Sequence, residues 1–126
     1  MKIQTFTIQK VSDMTGLSPH TLRYYEELGL LNKIGRNEHS YRMYTQADIS
    51  WIHFLLRLRS TSMPIAQMQQ FSSLRSMGDE TIALRLELLE NHHNQVQEQI
   101  DHLTENLDKI ARKIHHYKEL LNNGSK

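Results

Sequence analysis

The sequence predicts an all-α chain with a small β-wing: a winged helix-turn-helix head followed by a long dimerisation helix that forms a coiled coil. Three observations predict it. Thr7 to Met14 and Ser18 to Leu28 read as two short helices joined by a turn at Gly16. A polar loop from Gly35 to Ser40 then closes on an arginine–tyrosine ribbon, Tyr41-Arg42-Met43-Tyr44. From Glu80 onward the apolar period shortens from 3.6 to 3.5 residues, which is the period of a supercoiled helix.

Each element has a local reason to form. Ile3 to Thr7 alternates, as a short strand paired with the ribbon would. Thr7 is placed to cap the first helix, on which Ile8, Val11 and Met14 share one face. Ser18 followed by Pro19 opens the second helix, because proline at the first helical position loses an N–H that has no partner there anyway. Leu22 and Leu28 are its expected anchors, and Gly29 ends it. Thr45 caps a third helix carrying Ile49, Ile52, Leu55, Leu56 and Arg59 at helical spacing. Ser60-Thr61-Ser62 is a break, and Pro64 opens a fourth helix with Ile65, Met68 and Phe71. Ser76-Met77-Gly78 marks the boundary to the last segment. The expected divisions are residues 1–76, 77–121 and a tail, 122–126.

Leu86, His93, Ile100, Leu107, Ile114 and Leu121 form one seven-residue series in that last segment. Leu89, Val96, Leu103, Ile110 and Tyr117 form the second, offset by three. Ten of these eleven positions are apolar, with no proline or glycine among five heptads. The helix would be about 60 Å long at 1.5 Å per residue. A head of about 75 residues cannot cover such a seam, so it needs a helical partner, and a second copy of the chain is the economical one. An obligate homodimer is expected.

Composition narrows the function. The 126 residues amount to about one domain, and 38% hydrophobic content suits a small core joined to an exposed helix. No apolar run is long enough to span a bilayer and nothing reads as a signal peptide, so no membrane partner is expected and the expected compartment is the cytoplasm. The absence of cysteine excludes disulfides, thiolate metal centres and cysteine nucleophiles. Net charge is only +1, but residues 1–75 hold nine lysines and arginines against five acids, and residues 76–126 hold six against nine. The positive charge thus lies with the helix-turn-helix, where a nucleic-acid surface is expected. No nucleophile elbow, phosphate loop or paired-carboxylate pocket is present, so an enzyme is not expected. A coiled-coil assembly protein would not need the arginine–tyrosine wing. An architectural DNA binder without effector, of the excisionase kind, would use the wing but need no transcriptional response.

Ile8-x-x-Val11, Gly16-Leu17-Ser18-x-x-Thr21-Leu22-Arg23-Tyr24-Tyr25-Glu26-x-x-Gly29-Leu30, Arg36, Tyr41-Arg42-x-Tyr44 and Asp48-Ile49 together resemble the MerR family of bacterial transcription regulators. The likeness is close over the first 75 or so residues and agrees in kind beyond them. Trp51-Ile52-x-Phe54 and Ser62-Met63-Pro64-Ile65 look most like the small, aldehyde- or electrophile-responsive branch. The resemblance implies a homodimer whose long helices run antiparallel. It also implies a pseudo-palindromic promoter element as double-stranded DNA partner, and control of RNA polymerase by distortion of the promoter spacer.

In a helix-turn-helix the N-terminal end of the second helix meets base edges in the major groove. His20, Thr21, Arg23 and Tyr24 occupy that end, and Arg23 can read guanine or hold phosphate. Arg36, Tyr41, Arg42 and Tyr44 read as a clamp on the backbone, with Arg59, and Arg57 beside it, as a second. Alternatives stay open: Tyr25 either packs inward or touches phosphate, Tyr44 is clamp or core, and Arg57 is clamp or solvated helix charge.

Metal-responsive relatives of this kind bind their ion through cysteines near the end of the dimerisation helix. With none here, and no sensor segment after Asn122, soft metals are not expected as inducers. The electrophile-responsive branch uses a cysteine in the helix spanning Gln46 to Arg59, and motif alignment puts Arg57 at or near it. His92-His93 and His115-His116 are adjacent pairs, and no two histidines stand three or four apart, so one helix cannot chelate. The bland reading is preferred, with His93 as a register-setting seam residue, over a metal shared between antiparallel copies. No metal or cofactor is expected. A small-molecule effector remains open. Trp51, Phe54, Leu55, Met63 and Phe71 could line a pocket but are read as core.

Overall fold

The computed structural model describes residues 3–124. Its elements are β1 (Thr5–Thr7), α1 (Ile8–Thr15), α2 (Pro19–Glu27), β2 (Gly35–Arg36), β3 (Arg42–Thr45), α3 (Gln46–Ser60) and α4 (Ile65–Ser76). A 3-10 turn at Asp79–Thr81 leads into α5 (Ile82–Gly124).

The helix starts are set by hydroxyl caps. The Thr7 side chain accepts the Lys10 N–H, Ser18 accepts that of Thr21, and Thr45 accepts that of Asp48. Asp48 answers by accepting the Thr45 N–H at 2.8 Å, so two otherwise orphaned donors are satisfied reciprocally. Gly16, at φ 78°, closes α1 in the left-handed region that a side chain would strain.

The sheet has the order β1-β3-β2, both pairs antiparallel, with Phe6 opposite Tyr44 and Arg36 opposite Arg42. The lead-in strand does pair with the ribbon, and the polar loop contributes the short strand β2. Because α1 begins where β1 ends, this pairing sets the start of α1 beside the wing.

Val11, Leu22, Leu30, Ile49, Ile52 and Leu55 are buried and form the centre of the core. The α2–β2 connection is tied down by three side chains. Trp51 Nε1 and Ser72 Oγ both donate to the Leu30 carbonyl, at 2.8 and 3.0 Å, and Gln69 Nε2 donates to that of Leu28 at 2.7 Å. Trp51 stacks on Phe71, with centroids 5.5 Å apart, and the Arg75 guanidinium lies 4.6 Å from the Trp51 ring centroid.

Several expected core positions differ. Met14 is 39% exposed, Ile8 and Leu28 are half-buried, and Ile65 is exposed. On α2 the inward pair is Leu22 with Tyr25, three residues apart on one face, while Leu28 falls at the helix end. Ile65 stands at the first position of α4, before the helix turns Met68 and Phe71 inward.

The compact N-terminal unit extends through Leu88. Thr81 Oγ1 donates to the Leu74 carbonyl at 2.6 Å, and Arg85 Nη2 donates to that of Gly78 at 3.0 Å, so the first turn of α5 is fastened to the end of α4. That moves the division well past residue 76. The second unit, from Leu89, is helical as far as Gly124. Asn122, Asn123 and Gly124 therefore continue the helix instead of forming a tail, and residues 125–126 lie outside the described residues. Of the seam positions, Leu89 and Val96 are half-buried and Leu86 and His93 exposed. From Ile100 to Leu121 all seven are between 50% and 73% exposed.

Candidate nucleic-acid interface

Ser18 fixes where α2 begins, and with it which side chains leave the surface. His20, Arg23 and Tyr24 are exposed on its outer side. Thr21 is half-buried, and its hydroxyl accepts from Ser18 Oγ at 3.0 Å, so it is partly committed to the cap.

The wing is the β2–β3 hairpin, and its tip is shaped by Asn37. The Asn37 side-chain oxygen accepts the N–H groups of His39 and Tyr41 at 2.9 and 3.0 Å, a local turn of the kind asparagine forms. Arg36 Nη1 donates to the Ser40 carbonyl at 2.9 Å, bracing the tip from the strand below. Tyr41 is 68% exposed.

Between α1, α2 and this hairpin lies an open groove of about 360 Å³. Arg23, Arg36, Tyr41 and Arg42 line it together with Thr7 and Gln9. Residues from three separate stretches of sequence thus converge on one surface rich in donors. Guanidinium, phenol and amide groups in that arrangement match the oxygens of a phosphodiester backbone.

The arginines are not equivalent. Arg42 Nε donates to Glu26 Oε1 at 2.8 Å, with only 20% and 15% of the two side chains exposed. Glu26 cancels the charge of Arg42 and locks the wing to α2, leaving Arg23 and Arg36 as the groove's net cations. Arg42 therefore acts as a strut as well as a donor, which the sequence reading of it as a plain clamp did not contain.

Two tyrosines named as DNA contacts face the other way. Tyr44 has no exposed surface, because alternation along β3 points it into the core. Burial raises its pKa above the ordinary 10.0; Arg42 opposes this, Glu26 adds to it, and Arg23 and Asp48 exert smaller effects, lowering and raising respectively. Its hydroxyl has no hydrogen-bond partner among the described residues. Tyr25 is also buried, and its hydroxyl accepts from Arg59 Nη1. Arg59 is exposed at the end of α3, but it lines a separate hollow with Tyr24 and Tyr25, not the groove. Arg57 is exposed too, and a basic last turn complements the helix dipole by itself.

The sequence reading missed Gln9, Asn37 and Glu26. The first stands beside the wing only because β1 pairs with β3. An Asn two residues before His39 in a polar loop was a usable turn signal, and Glu26 was legible only as part of the family motif.

Comparison with known proteins shows the family of the chain. Residues 6–73 match the family model for MerR HTH family regulatory proteins, and residues 49–113 match the MerR DNA-binding model. The chain belongs to the MerR family. It is similar to an uncharacterised HTH-type transcriptional regulator of Haemophilus influenzae, with 36% identity covering 91% of this chain and 85% of the relative. Bacillus subtilis AdhR, another HTH-type regulator, is 34% identical over 65% of this chain and 59% of its own length. Among solved structures, HiNmlR, a MerR family regulator lacking the sensor domain and bound to promoter DNA, aligns at TM-score 0.82. It has 35% identity, and 92% of each chain is covered. A putative MerR regulator from Listeria monocytogenes aligns at TM-score 0.85, with 33% identity over 90% of this chain and 86% of that one. MerR proteins are transcriptional regulators and not enzymes, and this chain is a regulator of that type. No helix among its described residues is long and apolar enough to cross a membrane.

Proposed function

We propose that this MerR regulator binds a pseudo-palindromic promoter element in the cytoplasm as a homodimer. The observation that carries the reading is the groove itself: exposed α2 residues and a braced wing present Arg23, Arg36 and Tyr41 to one backbone. His20 and Tyr24 stand on α2 to meet base edges, and Arg23 is placed to reach either a base or a phosphate. A relative of the same fold, aligned over most of both chains, is bound to promoter DNA, which supports the same partner here.

The dimer rests on α5. Ile100, Leu103, Leu107 and Ile110 form an open apolar trough on it, shaped to take the knobs of an opposing helix. An antiparallel partner centred near Leu103 would pair Leu86 to Leu121 of one copy with the same run of the other. Two heads joined in this way bind inverted half-sites. Deforming the DNA between them is repaid by contacts at both ends, and realigning the promoter elements in this way is how the dimer acts on RNA polymerase. Footprinting of the region upstream of the chain's own gene tests the proposal. Two inverted protected half-sites are expected, lost with Arg23→Ala; protection of a single half-site, or none, contradicts it.

A further inference from the structure

A second hollow shares none of the residues that line the wing groove. It is a partly open hollow of about 170 Å³ between α2, α3, the α3–α4 turn and α4. Leu30, Leu55, Met63 and Met68 form its buried floor, and each is nearly without exposed surface. Tyr24, Ile65 and Arg59 are its exposed edge. Arg59 donates to the Tyr25 hydroxyl, and its guanidinium carbon lies 5.8 Å from the Tyr25 ring centroid, so the cation stands beside Tyr25 at the exposed edge.

We infer that this hollow is a binding site for a single-ring aromatic carboxylate. Three properties select that class. An apolar cavity of about 150 Å³ takes one benzene-sized ring, and the volume here is of that order. Apart from the Tyr25 hydroxyl, which already accepts from Arg59, the buried lining is apolar, and it includes two methionines, whose unbranched thioethers adapt to a ring and make favourable sulfur–aromatic contacts. The one fixed charge at the edge is an arginine, whose planar fork matches a carboxylate better than a neutral head group. Occupancy would press on Tyr24, next to Arg23 on α2. That consequence rests on the proposed reading of α2 as the DNA-contacting helix; the binding itself does not.

Benzoate and toluene are the probes, and methyl-labelled methionine NMR of the full chain is the readout. Benzoate is expected to move the Met63 and Met68 signals saturably while the exposed Met14 and Met77 stay in place. Toluene should move the same two signals with at least about tenfold weaker affinity, the difference expected of one charge-assisted hydrogen bond. Arg59→Met should remove that preference for benzoate, with folding checked by the helical circular dichroism signal. If Met63 and Met68 do not respond, or all methionines drift together, the site is refuted. Equal affinities of benzoate and toluene for the unaltered chain refute the carboxylate, whether or not the variant folds. Since no DNA is present, failure here is distinct from failure of the promoter-binding reading. A benzoate complex that binds DNA as the free chain does removes the link through Tyr24.

Discussion

Glu26 decides what Arg42 can offer to DNA. With its Nε held at 2.8 Å and both side chains largely covered, the arginine joins wing to helix first and meets a phosphate second. Glu26→Gln should therefore cost about 1–3 kcal/mol of stability in denaturant unfolding, the range for breaking a charged hydrogen bond. It should also steepen the salt dependence of DNA affinity by about one ion, because the charge of Arg42 is no longer offset by a carboxylate. Tyr44 makes a different prediction. Its hydroxyl is buried without a partner, so Tyr44→Phe is expected to leave stability unchanged or raise it by about 1 kcal/mol at neutral pH. Its pKa in the folded chain is raised above 10.0 by burial. The folded state then keeps its proton where the unfolded state releases it. Stability attached to the group is complete below pH 10 and falls as pH climbs from there toward the folded pKa. Unfolding midpoints measured from about pH 9 to 11 should decline less steeply in Tyr44→Phe than in the unaltered chain.

At the scale of elements, the caps were the most legible part of the sequence. Thr7, Ser18 and Thr45 each act within three residues of themselves, so nothing distant can override them. Removing one tests that: Ser18→Ala should lower stability by about 1 kcal/mol, read as a shift in the unfolding midpoint, and weaken DNA binding through the start of α2. The turn glycines, the β1–β3 pairing and the long last helix were legible for similar reasons of local pattern. What was hidden depended on rotation about an axis set by other elements. Tyr25 and Tyr44 look like clamp residues on paper because a tyrosine suits either face. Only the packing of α2 and β3 against the core decides which. Met14 and Ile65 have the right spacing for burial but stand at helix ends, where the face that was counted has already turned out to solvent. The groove could be anticipated as arginines and tyrosines, but not with Gln9, whose place follows from a strand pairing across about forty residues of sequence.

At the scale of the whole molecule, the account depends on two copies. Leucines and isoleucines more than half exposed along a 43-residue helix are a surface that water does not favour. Leu103 stands near the expected centre of antiparallel pairing, so Leu103→Asp would set two carboxylates against each other in an apolar seam. Sedimentation should then show monomer at micromolar concentration where the unaltered chain is dimeric; an unchanged dimer would place the interface elsewhere. The MerR match makes DNA the partner, and a groove on each head makes symmetry the prediction. The most direct measurement is selection of bound duplexes from a random pool by the purified chain. The account predicts enrichment of two inverted half-sites at fixed spacing, lost in Leu103→Asp and in Arg23→Ala. Enrichment of a lone half-site, or recovery of the input pool unchanged, would contradict it.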